Sequence, residues 1–294
     1  MDIPKFIRQD EKPLYPKILW NRPVSRRGAG RLLIPGGHTG EFSFPTSLFQ
    51  AAIASGIGEC TVALPDALVK LLGGASGVTF VPSSTSGSLG QEATGLLLHM
   101  AEEYDAMLLG ASLSNHSQTT ILLETLIRES SIPLILIDDS ISLLGHQAEL
   151  LVGNDNHLLI VTMPQIFKLA GRLGVPIRIK RDGGLINKLE IVRDISNVSK
   201  CTYVVWGSEI IIAARGRELI VTPMNHRISQ LPAVLYAALS AFWIQNIGDR
   251  RAGLATASYL LKEVGQSLPA QGRPTLTQAL KLLRQALEAA EDSL

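Results

Sequence analysis

The sequence predicts an α/β protein: a doubly wound, mainly parallel sheet flanked by helices. Three observations carry that expectation. Apolar runs of strand length alternate with amphipathic runs of helix length along most of the 294 residues. Residues 133–137 (PLILI) have no polar alternate position, the pattern of a central parallel strand covered on both faces. Hydrophobic residues make up 46% of the chain and charged residues 18%, enough apolar side chain for a large core without staples.

Residues 31–35 (RLLIP) read as the first strand. Residues 45–55 read as the helix behind it, with Leu48, Ala51, Ala52 and Ser55 on one face. Residues 60–64 form the next strand, and 105–109 another, followed by a helix over about 116–130 and then PLILI. Residues 157–161, 177–179 and 203–206 continue the series. Residues 210–213 and 218–221 flank the glycine-bearing turn Ala214-Arg215-Gly216-Arg217, which predicts a β-hairpin in the second half. Helices follow over 233–245 and 251–264. Gly272 and Pro274 open a last helix, where Leu276, Ala279, Leu280, Leu283, Leu287 and Ala290 draw one apolar stripe. That stripe packs on its own domain or on a partner subunit, the second case making a homo-oligomer. Residues 83–90 (SSTSGSLG) are low in complexity and read as a surface loop. Residues 1–24 are taken as an N-terminal extension, 25–268 as the main domain and 269–294 as a C-terminal amphipathic helix.

Net charge is +1, yet its distribution is uneven: residues 1–31 hold 8 Lys/Arg against 3 Asp/Glu, 32–170 hold 3 against 13, and 171–294 hold 16 against 10. The acidic first half repels nucleic acid. Such polarity suits self-association or an anionic small ligand near the basic segments, or is simply a solvated surface. The longest nearly continuous apolar run, residues 231–244, falls short of the roughly 20 residues of a bilayer crossing and reads as a buried helix, so no membrane partner is expected. Residues 1–30 carry charges and no apolar leader core, and the expected address is the cytoplasm. Two cysteines, Cys60 and Cys201, without a CxxC spacing argue against a disulfide framework or a metal site.

The phosphate-cradling GxxxxGK[ST], the dinucleotide GxGxxG, the GxSxG elbow and HExxH are all missing. What remains lies at the carboxyl ends of strands, where ligands of parallel sheets gather. Pro35-Gly36-Gly37-His38-Thr39-Gly40 follows the first strand, and Gly36, Gly37, Thr39 and Gly40 either bring backbone amides to a ligand or serve a structural turn. Gly110 and Ser112 hold the corresponding place after residue 109. Asp138 and Asp139 end PLILI; adjacent carboxylates there bind a metal or a ribose hydroxyl, or else Asp139 or Ser140 caps the next helix.

Taken in order, several stretches resemble the ADP- or ATP-dependent NAD(P)H-hydrate dehydratases of the ribokinase-like superfamily. Ser25-Arg26-Arg27-Gly28-Ala29-Gly30-Arg31-Leu32-Leu33-Ile34-Pro35-Gly36-Gly37, with Thr39-Gly40 beyond it, is similar to that family's opening. Residues 56–65 (GIGECTVALP) resemble its GAG-x-V-T-V-A-x-P stretch, and Asp105-Ala106-Met107-Leu108-Leu109-Gly110 its D-A-hydrophobic-G-P-G-L-G strand and loop, with Ser112 and Ser114 in place of the last glycines. Ile137-Asp138-Asp139 is similar to its L-D-A-D-A-L element, Asp139 matching the second acid. The resemblance runs from about residue 25 to 265. It implies a ribokinase-like fold, and ADP or ATP together with an NAD(P)H-type dinucleotide as ligands.

The second half departs from the family. Its T-P-H-x-G-E-F is Thr162-Met163-Pro164-Gln165-Ile166-Phe167 here, its lysine-glycine pair is Trp206-Gly207, and its N-x-G…G-x-G-D anion hole aligns with Gln230-Leu231-Pro232-Ala233. Ala233 therefore stands where the family keeps its catalytic aspartate, and Pro232 removes an amide donor. These losses imply a catalytically degenerate relative that binds a ligand or serves assembly. The alternative is an active dehydratase or small-molecule kinase that uses Asp138, Asp139 or Asp249 as a surrogate acid.

Overall fold

The expected alternation closes into a ten-stranded sheet in a computed structural model that describes residues 4–20, 22–23, 25–177 and 184–292. In chain order the elements are β1 (Phe6–Arg8), α1 (Pro16–Trp20), β2 (Arg31–Pro35), α2 (Ser43–Ala54), β3 (Glu59–Pro65), α3 (Val69–Leu72) and β4 (Val78–Val81). Next come α4 (Thr94–Ala101), β5 (Ala106–Leu109), α5 (Ser117–Glu129), β6 (Leu134–Ile137), α6 (Asp138–Leu143), β7 (Leu158–Thr162) and α7 (Met163–Arg172). After α8 (Gly184–Ser199), β8 (Thr202–Trp206), β9 (Glu209–Ala213) and β10 (Leu219–Pro223), three helices finish the chain: α9 (Pro232–Gln245), α10 (Arg250–Ser267) and α11 (Leu276–Asp292).

The strand order is β1-β10-β9-β8-β7-β6-β5-β2-β3-β4. β9 runs antiparallel to both neighbours, as a hairpin strand must, and every other pairing is parallel. Alternate residues of a strand point to opposite faces, and the two faces carry separate cores. Leu32, Ile34, Ile135 and Ile137 pack with α2, α9, α10 and α11. Leu33, Leu134 and Leu136 pack on the other side with α4, α5, α7 and α8. All four residues of β6 are buried, in keeping with the absence of polar alternation in PLILI. From Ala233 to Trp243 every residue of α9 is buried, which is why its apolar run has no polar face.

Ala279, Leu283 and Leu287 of α11 are buried against the chain's own α10, α2 and α1, so the terminal stripe is covered from within. Residues 83–90 are not a plain surface loop: Ser84, Ser88 and Leu89 are buried, and the Ser84, Ser86 and Ser88 hydroxyls satisfy one another. Ile177 lies outside any strand, and the rest of the strand expected at 177–179 falls outside the described residues. β1 and β4 are unanticipated. β1 docks through Gln9, a buried side chain whose Nε2 donates to Thr222 Oγ1 (3.1 Å) and the Ala255 carbonyl (2.8 Å) while its Oε1 accepts from Leu14 N (2.9 Å). Among the described residues no helix is long and apolar enough to cross a membrane.

Candidate functional site at the carboxyl edge of the sheet

β2 and β5 are hydrogen-bonded neighbours from which the strand order proceeds in opposite directions, and such a switch point opens a crevice beyond the strand ends. The loops after these strands meet there: Gly36 bridges Ala111, and Gly37 N donates to the Ala111 carbonyl at 2.9 Å. A Cβ on Gly36 would lie 2.2 Å from that carbonyl oxygen, so glycine is what lets the two backbones touch.

Beside this junction a cavity of about 380 Å³ opens between the ends of β5, β6 and β7 and the start of α9, lined by polar groups from Gly110, Ser112, Asp138, Asp139, Ser142 and Gln165, with Phe44 and Pro232 as apolar walls. The backbone is tightly held there. Gly110 has φ 119°, and a Cβ on it would sit 1.9 Å from the Ile137 carbonyl oxygen. Ser112 (φ 55°) and Asp138 (φ 35°) are two of the three non-glycine residues with positive φ among those described, and both face this cavity. Each such conformation costs on the order of 1–3 kcal/mol and persists only where the surroundings impose it.

The carboxylates have distinct partners. Asp138 Oδ1 accepts from the Tyr236 hydroxyl at 2.6 Å, and Asp139 Oδ2 accepts from Leu113 N at 3.0 Å. Neither Asp139 nor Ser140 caps α6, whose N-cap is Ile137; the Ser140 hydroxyl instead donates back to the Ile137 carbonyl at 2.7 Å. Burial pushes both carboxyls above the usual range. The Tyr236 hydrogen bond opposes this at Asp138; at Asp139 the Leu113 amide opposes it while the charge of Asp138 adds to it. Burial and the adjacent Asp138 raise the Tyr236 phenol, so it stays protonated and serves as a donor. Gln165 shapes the far wall: its Oε1 accepts from Thr162 N (2.8 Å), closing a capping box at the start of α7, and its Nε2 reaches the Asp138 carbonyl (3.4 Å).

The start of α9 forms the remaining wall. Pro232 has no amide hydrogen, and Val234 N and Leu235 N both donate to the Leu231 carbonyl, at 3.0 and 3.3 Å. Only the Ala233 amide is left in the first turn for a ligand. The Ala233 methyl belongs to the core, and no carboxylate projects from this helix start.

The sequence-identified residues fall into two groups. Gly110, Ser112, Asp138 and Asp139 surround one cavity. Gly36, Gly37, Thr39 and Gly40 do not line it, and their amides are already taken: Gly36 by the Ala63 carbonyl, Gly37 by Ala111, Thr39 by Gly87, and Gly40 by His38 Nδ1. That loop spends these amides within the protein, and Gly36 and Gly37 hold the junction. Asp249 lies away from the cavity as the N-cap of α10, accepting from Ala252 N at 3.0 Å. Sequence reasoning missed Tyr236, Phe44, Ser142 and Gln165. The available signal for Tyr236 was its place one turn beyond Ala233, on the same helix face.

No protein-family profile matches the chain. Over 203 residues it is 24% identical to the bifunctional NAD(P)H-hydrate repair enzyme of Moorella thermoacetica, a match covering 67% of this chain and 37% of that enzyme. A ribokinase-like superfamily protein from Enterococcus faecalis superposes with a TM-score of 0.74 at 17% identity, covering 96% of each chain. The chain has a ribokinase-like fold. The Bacillus subtilis ADP/ATP-dependent NAD(P)H-hydrate dehydratase, co-crystallized with ATP/Mg2+, superposes with a TM-score of 0.61 at 14% identity over 96% of this chain and 99% of that one. Ten strands in the observed order, the Gly36–Ala111 junction and the carboxylates after β6 are what this fold has in place around its cavity.

Proposed function

We propose that this ribokinase-like chain binds a small hydroxylated molecule at the carboxyl edge of its sheet and does not transfer phosphoryl groups. One observation carries the reading: α9 opens with Pro232 and Ala233, where the resemblance would put an amide donor and a general base, and no carboxylate enters from that helix start. Losing a general base costs about two to four orders of magnitude in rate, and losing an anion-stabilising donor about two to three more. The walls that remain suit hydroxyl groups better than phosphates. Asp138 and Asp139 accept hydrogen bonds, Ser112 and Ser142 offer hydroxyls, and any negative charge on the two carboxylates repels a phosphate. A ribose or a hydrated ring of a nucleotide or dinucleotide has the matching chemistry. Assembly finds less support, because α11 spends its apolar stripe on its own core.

A thermal-shift series with ADP, ATP, NADH and NADPH, joined to an assay for nucleotide-dependent repair of hydrated NADH, tests the proposal. Ligand at about 100 times its dissociation constant stabilises by about 2.7 kcal/mol, a readily visible shift. Stabilisation by at least one of the four without turnover is expected; robust repair by the pure protein would end the proposal.

A second reading has one observation in its favour. Asp138 is buried, raised in pKa and held by the Tyr236 phenol beside the cavity, which are the attributes of a general acid or base. In that case the protein is an active dehydratase or kinase with Asp138 as its surrogate acid, and Asp138→Asn abolishes turnover while Asp249→Asn leaves it unchanged.

A further inference from the structure

The geometry points to a second site, for an organic phosphate, at the opposite edge of the sheet. A cleft of about 640 Å³ opens at the amino ends of β2, β3 and β4, and three guanidinium groups line it, those of Arg26, Arg27 and Arg31, against a single carboxylate, Glu59. The cleft lies at the amino ends of its strands and the cavity at the carboxyl ends of theirs, on opposite edges of the sheet. It shares no residue with the site described above.

The arginines are presented by a fixed turn. Ala29 N donates to the Ser25 and Arg26 carbonyls, and Gln245 Nε2, at the end of α9, donates to the Ala29 carbonyl (3.3 Å) and the Gly56 carbonyl (2.8 Å). The turn is thereby pinned to the lead-in of β3. Among the described residues Arg26 bonds through its Nε, donating to the Gly58 carbonyl at 3.2 Å, and its terminal nitrogens remain for a ligand. Arg31 makes a loose pair with Asp105, Nε to Oδ2 3.8 Å, at an exposed position. Arg27 is exposed, and no hydrogen bond or ion pair engages its guanidinium among the described residues. Planar guanidiniums held in this way recognise a phosphoryl group through paired N–H···O bonds.

The facing wall is apolar. Phe49 and Ile53, one turn apart on α2, line the same cleft; the Phe49 ring lies against Gly77, and Ile53 is 38% exposed despite its size. Cys60, which also lines the cleft, is buried with its thiol pushed up to about 12, so it brings no negative charge. Basic groups on one side and an aromatic-aliphatic wall on the other fit a phosphate ester carrying a flat ring, with the phosphoryl group on the arginines and the ring over Phe49.

Calorimetric titration with AMP, inorganic phosphate and adenosine tests this. AMP is expected to bind more tightly than either fragment and to weaken with added salt. Arg27→Ala should weaken AMP by about tenfold or more, with Arg27→Lys intermediate. Phe49→Ala should weaken AMP while leaving inorganic phosphate unchanged. Circular dichroism melts confirm that each variant is folded. The proposal is overturned by absence of AMP binding at millimolar concentration, or by equal affinity in folded Arg27→Ala protein.

Discussion

The Tyr236 hydroxyl donates to Asp138 Oδ1 at 2.6 Å across 98 positions of sequence, joining the first turns of α9 to the end of β6. Tyr236→Phe leaves a buried carboxylate without its donor. At neutral pH it should lower stability by about 1–3 kcal/mol, measured by denaturant unfolding. The deficit should shrink in acid, where Asp138 takes up a proton and needs the donor less. A Tyr236→Phe protein as stable as its parent at neutral pH would remove the hydrogen bond from the account.

Asp138→Asn tests the carboxyl itself. Burial holds the folded pKa above the unfolded one, so the folded chain keeps a proton that the unfolded chain has released. The contribution of Asp138 is then most favourable at or below the unfolded value of about 4 and declines as pH rises toward the folded pKa. Asn can still accept from Tyr236 and has no charge to desolvate. Stability of the variant should lose part of that decline and, at neutral pH, equal or exceed the parent's; a large loss there would contradict the assigned sign.

Gly110→Ala combines a φ of 119° with a Cβ 1.9 Å from the Ile137 carbonyl oxygen, a backbone contact that no side-chain rotation relieves. It should cost more than about 3 kcal/mol and displace the loop that carries Ser112. A change within measurement error would mean that β5 and β6 separate freely at their carboxyl ends.

Leu283→Ala removes a fully buried side chain from α11 and should cost about 2–5 kcal/mol. Because the stripe is covered by the same chain, the loss should be the same at all protein concentrations. A concentration-dependent melting shift would assign the stripe to a second subunit.

Cys60 and Cys201 are buried, and burial pushes both thiols up to about 12. Neither should react with a water-soluble thiol reagent at mildly alkaline pH until the protein unfolds. Rapid labelling of either one in the folded state would show an opening at the start of β3 or of β8.

The sheet is legible in the sequence because its central strands are covered on both faces and lose their polar alternation, as in residues 133–137. β1 is hidden for the opposite reason. Three residues with one half-buried side chain form no pattern, and their place depends on a partner more than 200 positions away. The grouping of Gly110, Ser112, Asp138 and Asp139 follows from a topological rule, since each lies just beyond the carboxyl end of a parallel strand. Tyr236 does not follow from it, being one polar atom in an apolar run whose partner is set by how α9 crosses the sheet. The glycine loop at 36–40 shows the same limit. Its composition is visible locally, but the carbonyls at Ala63, Gly87 and Ala111 that occupy its amides are distant in sequence.

β1 and β10 lie more than 200 residues apart, yet the two pair in register, Phe6 with Leu219 through Arg8 with Val221, and Gln9 locks the join. During translation this rim of the nascent sheet therefore stays unzipped until β10 has followed β1 out of the ribosome, and a change that removes Gln9 exposes β10 as an adhesive margin.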